Sequence, residues 1–276
     1  MRKYLIAVLL AFALAGCASF ERALAPAAEL DAHFDRSDET STRAPDHGPW
    51  AALLERHRRM GADRIARFDY AGVRPAERAA LGAYIDALAA EDPRRLSRDV
   101  QFAYWVNLYN ALTVRVVLDR YPVASILDIR LTSGLFVYGP WRAKLVEVAG
   151  VALSLDDIEH RILRPIWRDP RIHYVVNCAS LGCPDLPAAP LEADGLDAAL
   201  DAAARAYVAH PRGLAFEEPH AIVSKIYLWF REDFGADAAG VIAHLARHAD
   251  APTQARLAAV RGIADYRYDW ALNDAR

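Results

Sequence analysis

No basic block or stripe runs through this sequence. Its 33 lysines and arginines are set against 36 aspartates and glutamates, for a formal charge of −3. A nucleic-acid partner is therefore not expected, because phosphate binding needs clustered cations. Neither H-E-x-x-H nor a paired C-x-x-C spacing occurs, so no metal is expected, and nothing calls for another cofactor. The G-x-S-x-G elbow and the phosphate-binding P-loop are also missing, which removes the usual support for a serine hydrolase or a nucleotide hydrolase. Asp233-Phe234-Gly235 stands without a glycine-rich loop or a catalytic-loop signature, so it is not read as a kinase motif. There is no internal repeat or low-complexity tract. Cysteine is scarce, with three in 276 residues. What is present is apolar: 54% hydrophobic and 10% aromatic residues argue for a folded chain with a substantial core.

The one long hydrophobic run lies at the start. Arg2 and Lys3 precede an apolar stretch from Tyr4 to Ala15 that is too short to span a bilayer comfortably. Leu14-Ala15-Gly16-Cys17 then looks like a bacterial lipobox, in which the cysteine is acylated and becomes the new N-terminus. Residues 1–16 are expected to be a signal peptide and Cys17 the lipidated residue, making the membrane a partner through that lipid. Ala18, with no aspartate beside Cys17, favours the outer membrane over the inner one by resemblance to bacterial lipoproteins, with the domain facing the periplasm. Residues 17–49 read as a polar tether, and residues 50–276 as one domain.

Along that domain, Trp50-Ala51-Ala52-Leu53-Leu54 opens a helix after Pro49, and the basic run Arg56–Arg59 suits a helix end. Ile65–Tyr70 alternates as a strand, and Pro75 opens a second helix. Asp99–Arg120 is apolar around the whole helical wheel, which predicts a helix buried at the centre of the domain. Leu135–Tyr138 and Lys144–Val148 are read as the arms of a hairpin. Ser154 and Asp157 form a capping box at the start of the next helix. Pro165 and Pro170 are read as chain breaks before a strand that begins near His173. A helix over Gly195–Val208, strands at Leu214–Glu217 and His220–Lys225, two short amphipathic helices and a terminal strand complete the pattern. The class is α+β: a buried central helix against a mostly antiparallel sheet, with peripheral helices.

Chemistry concentrates in His173–Pro184, which holds a histidine, an asparagine, a serine and two cysteines. Asn107 and Asn110 lie one turn apart on the central helix. Either they hydrogen-bond backbone and pin a neighbouring loop, or they face a cleft. Two readings of the loop stay open. In the first, Cys178 or Cys183 is a thiol nucleophile with His173 as base and Glu159 orienting the imidazole. In the second, Cys178 and Cys183 form a disulfide, and His173 and Asn177 are a satisfied polar pair. Strand alternation would point His173 and Cys178 to opposite faces and put Asn177 with His173.

Four stretches carry a resemblance. These are Phe102–Leu112, Ser154–His160, His173–Pro184 and Tyr268–Asn273. Together they resemble the domain-of-unknown-function family number five hundred and forty-seven, known from bacterial envelope proteins and plant proteins, over about residues 89–273. The family name carries no activity. A fainter likeness is to the transglutaminase-like, papain-related fold, although Val100-Gln101-Phe102-Ala103 supplies no cysteine where that fold keeps its nucleophile. The expected protein is lipid-anchored and periplasm-facing. Its polar centre is drawn from Asn107, Asn110, Glu159, His173, Asn177, Cys178, Ser180 and Cys183. It is either a cysteine-dependent hydrolase or acyltransferase, or a non-catalytic module for an unidentified protein or small molecule.

Overall fold

Between Arg98 and Arg120 there is neither proline nor glycine, and those 23 residues form a single helix in the computed structural model, which describes residues 25–132 and 138–276. Asp99 in its first turn and Arg120 in its last complement the helix dipole. Every residue from Gln101 to Val114 is buried, as a helix apolar on all sides requires. Each large apolar side chain withdrawn here contributes about 1.5–3 kcal/mol. The helix packs chiefly against other helical elements, and the sheets lie further out.

In chain order, α1 (Gly48–His57) leads into a hairpin of β1 (Arg58–Met60) and β2 (Ala66–Phe68). Next come α2 (Pro75–Ala90) and the central α3 (Arg98–Arg120). β3 (Val146–Val148) and β4 (Val151–Leu153) make a second antiparallel hairpin. Its Ala149-Gly150 turn has positive φ at both residues, 49° and 81°, the primed geometry that suits tight hairpins. The strand ending at Val148 thus pairs with the segment after it, a partner that the sequence reading did not give it. Leu135 to Val137 lie outside the described residues.

A π-helix (Asp157–Leu163) runs straight on into α4 (Arg164–Trp167). Pro165 therefore sits inside a helix and does not break it. Proline withholds one amide, and the Arg164 N–H reaches back to Glu159 O in π register, so the carbonyls of His160 and Arg161 are short of helical donors. The N-terminal segment supplies them: Glu29 N–H donates to His160 O and Asp31 N–H to Arg161 O, both at 2.9 Å. Phe34 is buried edge-on against Trp105 of α3, with centroids 5.1 Å apart. The stretch read as a tether is thus bound to the domain from Glu29 onward.

The remainder is α5 (Leu196–Val208), β5 (Leu214–Glu217), β6 (His220–Ser224), the short α6 (Ile226–Trp229), α7 (Ala238–His248), α8 (Ala251–Ala259) and β7 (Ile263–Arg267). β5 and β6 are antiparallel, while β6 and β7 run parallel. The class is α+β. Two apolar cores result, one around α3 and a smaller one around Tyr174, Tyr207, Tyr227 and Phe234.

The expected strand at His173 is instead a 3₁₀ helix, Pro170–Tyr174. Ile172 and Val175 enter the α3 core while Tyr174 enters the smaller one. A segment wedged between two cores is apolar throughout, and a short apolar run cannot be assigned by periodicity alone.

Candidate functional site

Asn110 and Asn107 fix the chain on either side of the central loop to α3. Asn110 Nδ2 donates to Val175 O at 2.8 Å, and its Oδ1 accepts from the Asn177 N–H at 2.8 Å. Asn107 does the same for Leu191, at 2.9 Å to its carbonyl and 3.0 Å from its amide. Each buried amide is satisfied by a backbone pair, so of the two readings given above, these asparagines take the loop-pinning one.

Asn177 ties the loop to itself. Its Nδ2 donates to Pro184 O at 2.7 Å, and its Oδ1 accepts from the Ala179 N–H at 2.9 Å. Ala179 is forced to φ 60°, a left-handed conformation that costs a non-glycine residue about 1–2 kcal/mol. The strain is held by the C-terminal tail, which pairs Leu181 N–H with Ala271 O and Gly182 N–H with Asp269 O, each at 2.8 Å. A Cβ on Gly182 would meet the Asp269 amide nitrogen at 2.6 Å, so only glycine allows that approach.

This fold-back presents Cys178, which is half-buried, while Cys183 is buried; both are free thiols. The disulfide alternative is not what the structure contains. Cys178 N–H donates to Cys183 Sγ at 3.0 Å. Cys178 Sγ lies 3.0 Å from the Tyr268 hydroxyl and 3.1 Å from Ser180 Oγ, and Ser180 Oγ donates to the Tyr268 oxygen at 2.9 Å. Burial pushes the Cys178 thiol up, but hydrogen bonds from Cys183, Ser180 and Tyr268 outweigh it and bring the thiol below its ordinary value. Burial and the neighbouring Cys178 push Cys183 well up. The pair is therefore asymmetric, with Cys178 half-buried and its thiol lowered, and Cys183 buried and its thiol raised.

His173 belongs to a different cluster. Its Nε2 is 2.7 Å from Asp233 Oδ2 and its Nδ1 is 3.5 Å from Glu159 Oε1. Its ring stacks on Phe230, with centroids 4.4 Å apart. Arg164 Nε donates to the same Asp233 oxygen at 2.6 Å, and the guanidinium lies over Phe230 at 4.9 Å. Burial disfavours a charged imidazole, yet the bonds to Asp233 and Glu159 raise His173 above its ordinary value. Burial would likewise lift both carboxyls. His160, His173 and Arg164 hold Glu159 at about 2, and His173 and Arg164 hold Asp233 at about 2. His173 thus lies between two anions that favour its protonated form. Glu159 orients it as the sequence suggested, but neither ring nitrogen is directed to Cys178. Tyr109 on α3 lies within the field of both clusters: burial, then Glu159, Cys178 and Cys183, all raise its hydroxyl.

Asp233, Arg164, Phe230 and Tyr268 are the residues that sequence reasoning passed over as functional. Tyr268 stood inside a quoted motif, and Asp233 stood out as an acid flanked by aromatics. A further pair, His244 and His248, has the four-residue helical spacing of metal ligands. His244 Nε2 is engaged by the Tyr174 hydroxyl at 2.8 Å, and no three potential ligands converge as a metal site among the described residues.

The fold and site define an α+β domain with an asymmetric thiol pair on a strained loop. Residues 93–208 match the family model described as a protein of unknown function, DUF547. The match includes the asparagines, the π-helix and the thiol loop, but stops short of Asp233 and Tyr268. No curated protein matches the chain. No solved structure matches either, so the likeness to the transglutaminase-like fold rests on sequence alone. Among the described residues, no helix is long and apolar enough to cross a membrane, and Cys17 lies outside them.

Proposed function

We propose that this chain is a lipid-anchored protein of the cell envelope, facing the periplasm, and that Cys178 is the reacting atom of a thiol-dependent enzyme. The anchor reading rests on the charged, apolar and lipobox regions that end at Cys17. Pro26, whose carbonyl is bound by Arg164 at 2.8 Å, stands nine residues on from Cys17. Fully extended, that stretch reaches at most about 30 Å, which keeps the domain close to the bilayer.

One observation carries the thiol reading: Cys178 Sγ is bracketed by two hydroxyls at 3.0 and 3.1 Å, on a loop held in strain. Hydroxyl donors stabilise a thiolate without any imidazole. The hydrolase or acyltransferase suggested by sequence keeps its nucleophile here but not His173 as base, because Asp233 and Glu159 favour the protonated ring. The test is alkylation of the full chain with iodoacetamide across pH, followed by peptide mapping. The expected result is that Cys178 labels faster than free cysteine at pH 7 and that Cys183 stays unlabelled. Labelling of Cys178 at or below the rate of free cysteine would refute the reading. For the anchor, Cys17→Ala is expected to move the protein from the membrane fraction to the soluble one.

A further inference from the structure

We infer that the electrophile Cys178 attacks is sulfur, and that this site runs thiol–disulfide exchange with Cys183 as the resolving thiol. The inference rests on the thiol reading above and adds the substrate class, a disulfide. Three features of the loop support it. Cys178 is the half-buried residue of the pair, and Tyr268, which accepts from Ser180, has its own hydroxyl hydrogen free to donate to the Cys178 sulfur and hold negative charge there. The second sulfur is already within the first residue's hydrogen-bonding reach, with Cys183 Sγ 3.0 Å from the Cys178 amide. And a dithiol reaction needs no base poised over a carbonyl carbon and no acid for an amine leaving group, which matches a site whose one sequence-suggested base, His173, is committed to two carboxylates.

The chemistry balances within the pair. Cys178 thiolate attacks one sulfur of a substrate disulfide, forming a mixed disulfide and releasing the other substrate sulfur as a thiolate. The Cys183 thiol gives its proton to that thiolate or to water, then attacks Cys178 Sγ. The Cys178–Cys183 bond forms as the mixed disulfide breaks, and the second substrate thiolate leaves. The substrate is reduced by two electrons and the protein dithiol is oxidised by two; an external thiol reductant closes the cycle, and the same steps reversed oxidise a substrate dithiol. Cys183 meets the requirement for a resolving group: it lies beside Cys178, burial and the Cys178 thiolate both hold it as the neutral thiol, and the second of these is removed once Cys178 has been converted to a disulfide. The partly buried rings of Trp229 and Trp270 pack on the Tyr268 ring, with centroids 4.8 and 4.6 Å away.

The experiment uses the full chain in detergent and an aromatic disulfide that releases a coloured thiolate. For the wild type, release of two aryl thiolates per chain is expected, with no aryl group retained and a Cys178–Cys183 crosslink in the peptide map. Cys183→Ser is expected to release one aryl thiolate and keep the other on Cys178, and Cys183→Ala serves if the serine variant does not fold. A wild type that reacts at Cys178 but keeps the aryl group there overturns the exchange while leaving the thiol reading intact. A wild type whose Cys178 reacts with neither the disulfide nor iodoacetamide overturns both.

Discussion

The sulfur of Cys178 and the hydroxyl of Tyr268 are 3.0 Å apart, although 90 residues of sequence separate them. That contact gives the loop its chemistry, because a hydroxyl directed at sulfur stabilises the thiolate more than the thiol. A hydrogen bond to a charged group contributes about 1.5–3 kcal/mol. Tyr268→Phe removes it and keeps the ring, so the Cys178 thiol should titrate higher and alkylate about tenfold more slowly at neutral pH. The measurement is the pH dependence of iodoacetamide labelling; an unchanged curve would mean Tyr268 does not tune the sulfur.

His173→Leu leaves Glu159 and Asp233 buried without their shared cation. Breaking a buried charge pair in this way costs about 3–5 kcal/mol. Chemical denaturation should show that loss. Where the variant remains folded, its Cys178 labelling rate should match the wild type, because the two clusters share no hydrogen bond through His173. A large fall in that rate would restore the histidine as the partner of the thiol.

The same cluster sets a pH window. His173 is raised above its ordinary value by Asp233 and Glu159, so its stabilising contribution is full below about 6.5 and is lost as pH rises through its folded value. Glu159 and Asp233 are both held at about 2, so theirs is present above the ordinary carboxylate range and lost as pH falls toward 2. His160 acts against His173 on the acid side, because burial lowers it to about 4 and the unfolded chain takes up its proton first. Thermal unfolding from pH 3 to 9 should therefore show stability falling at both ends. In His173→Leu the alkaline limb should flatten.

The N-terminal strap is structural. Phe34 is buried against Trp105, and removing such a ring costs about 3–5 kcal/mol. Phe34→Ala should lower the denaturation midpoint accordingly, and exchange of the Glu29 and Asp31 amides should speed up. A strap that was only a spacer would give no change in either.

Asn110→Ala strips partners from Val175 O and the Asn177 N–H at once. Each buried group left unpaired costs about 1–3 kcal/mol, so a loss of about 2–5 kcal/mol is expected. The loop should also loosen, seen as Cys183 becoming open to alkylation in the variant while it stays closed in the wild type.

Much of this protein could be read along the chain. The burial of α3, the capping box of Ser154 and Asp157, and the helices after Pro49 and Pro75 follow from local pattern, because side-chain period and capping chemistry are properties of neighbouring residues. The resemblance to the family lay in the same local motifs. What local pattern could not decide was which distant groups would complete each one. Ile172–Val176 has the composition of a strand, yet Ile172, Val175 and Val176 enter one core and Tyr174 the other, and the chain winds into a 3₁₀ helix over Pro170–Tyr174. Pro165 reads as a break, yet a π register and two amides from the N-terminal strap carry the helix past it. His173 reads as the base for Cys178 because the two stand five residues apart in the same reactive stretch. Asp233 reaches the imidazole and Tyr268 reaches the sulfur from remote parts of the chain, and electrostatic partnership depends on distance in space, which only the packed tertiary structure sets.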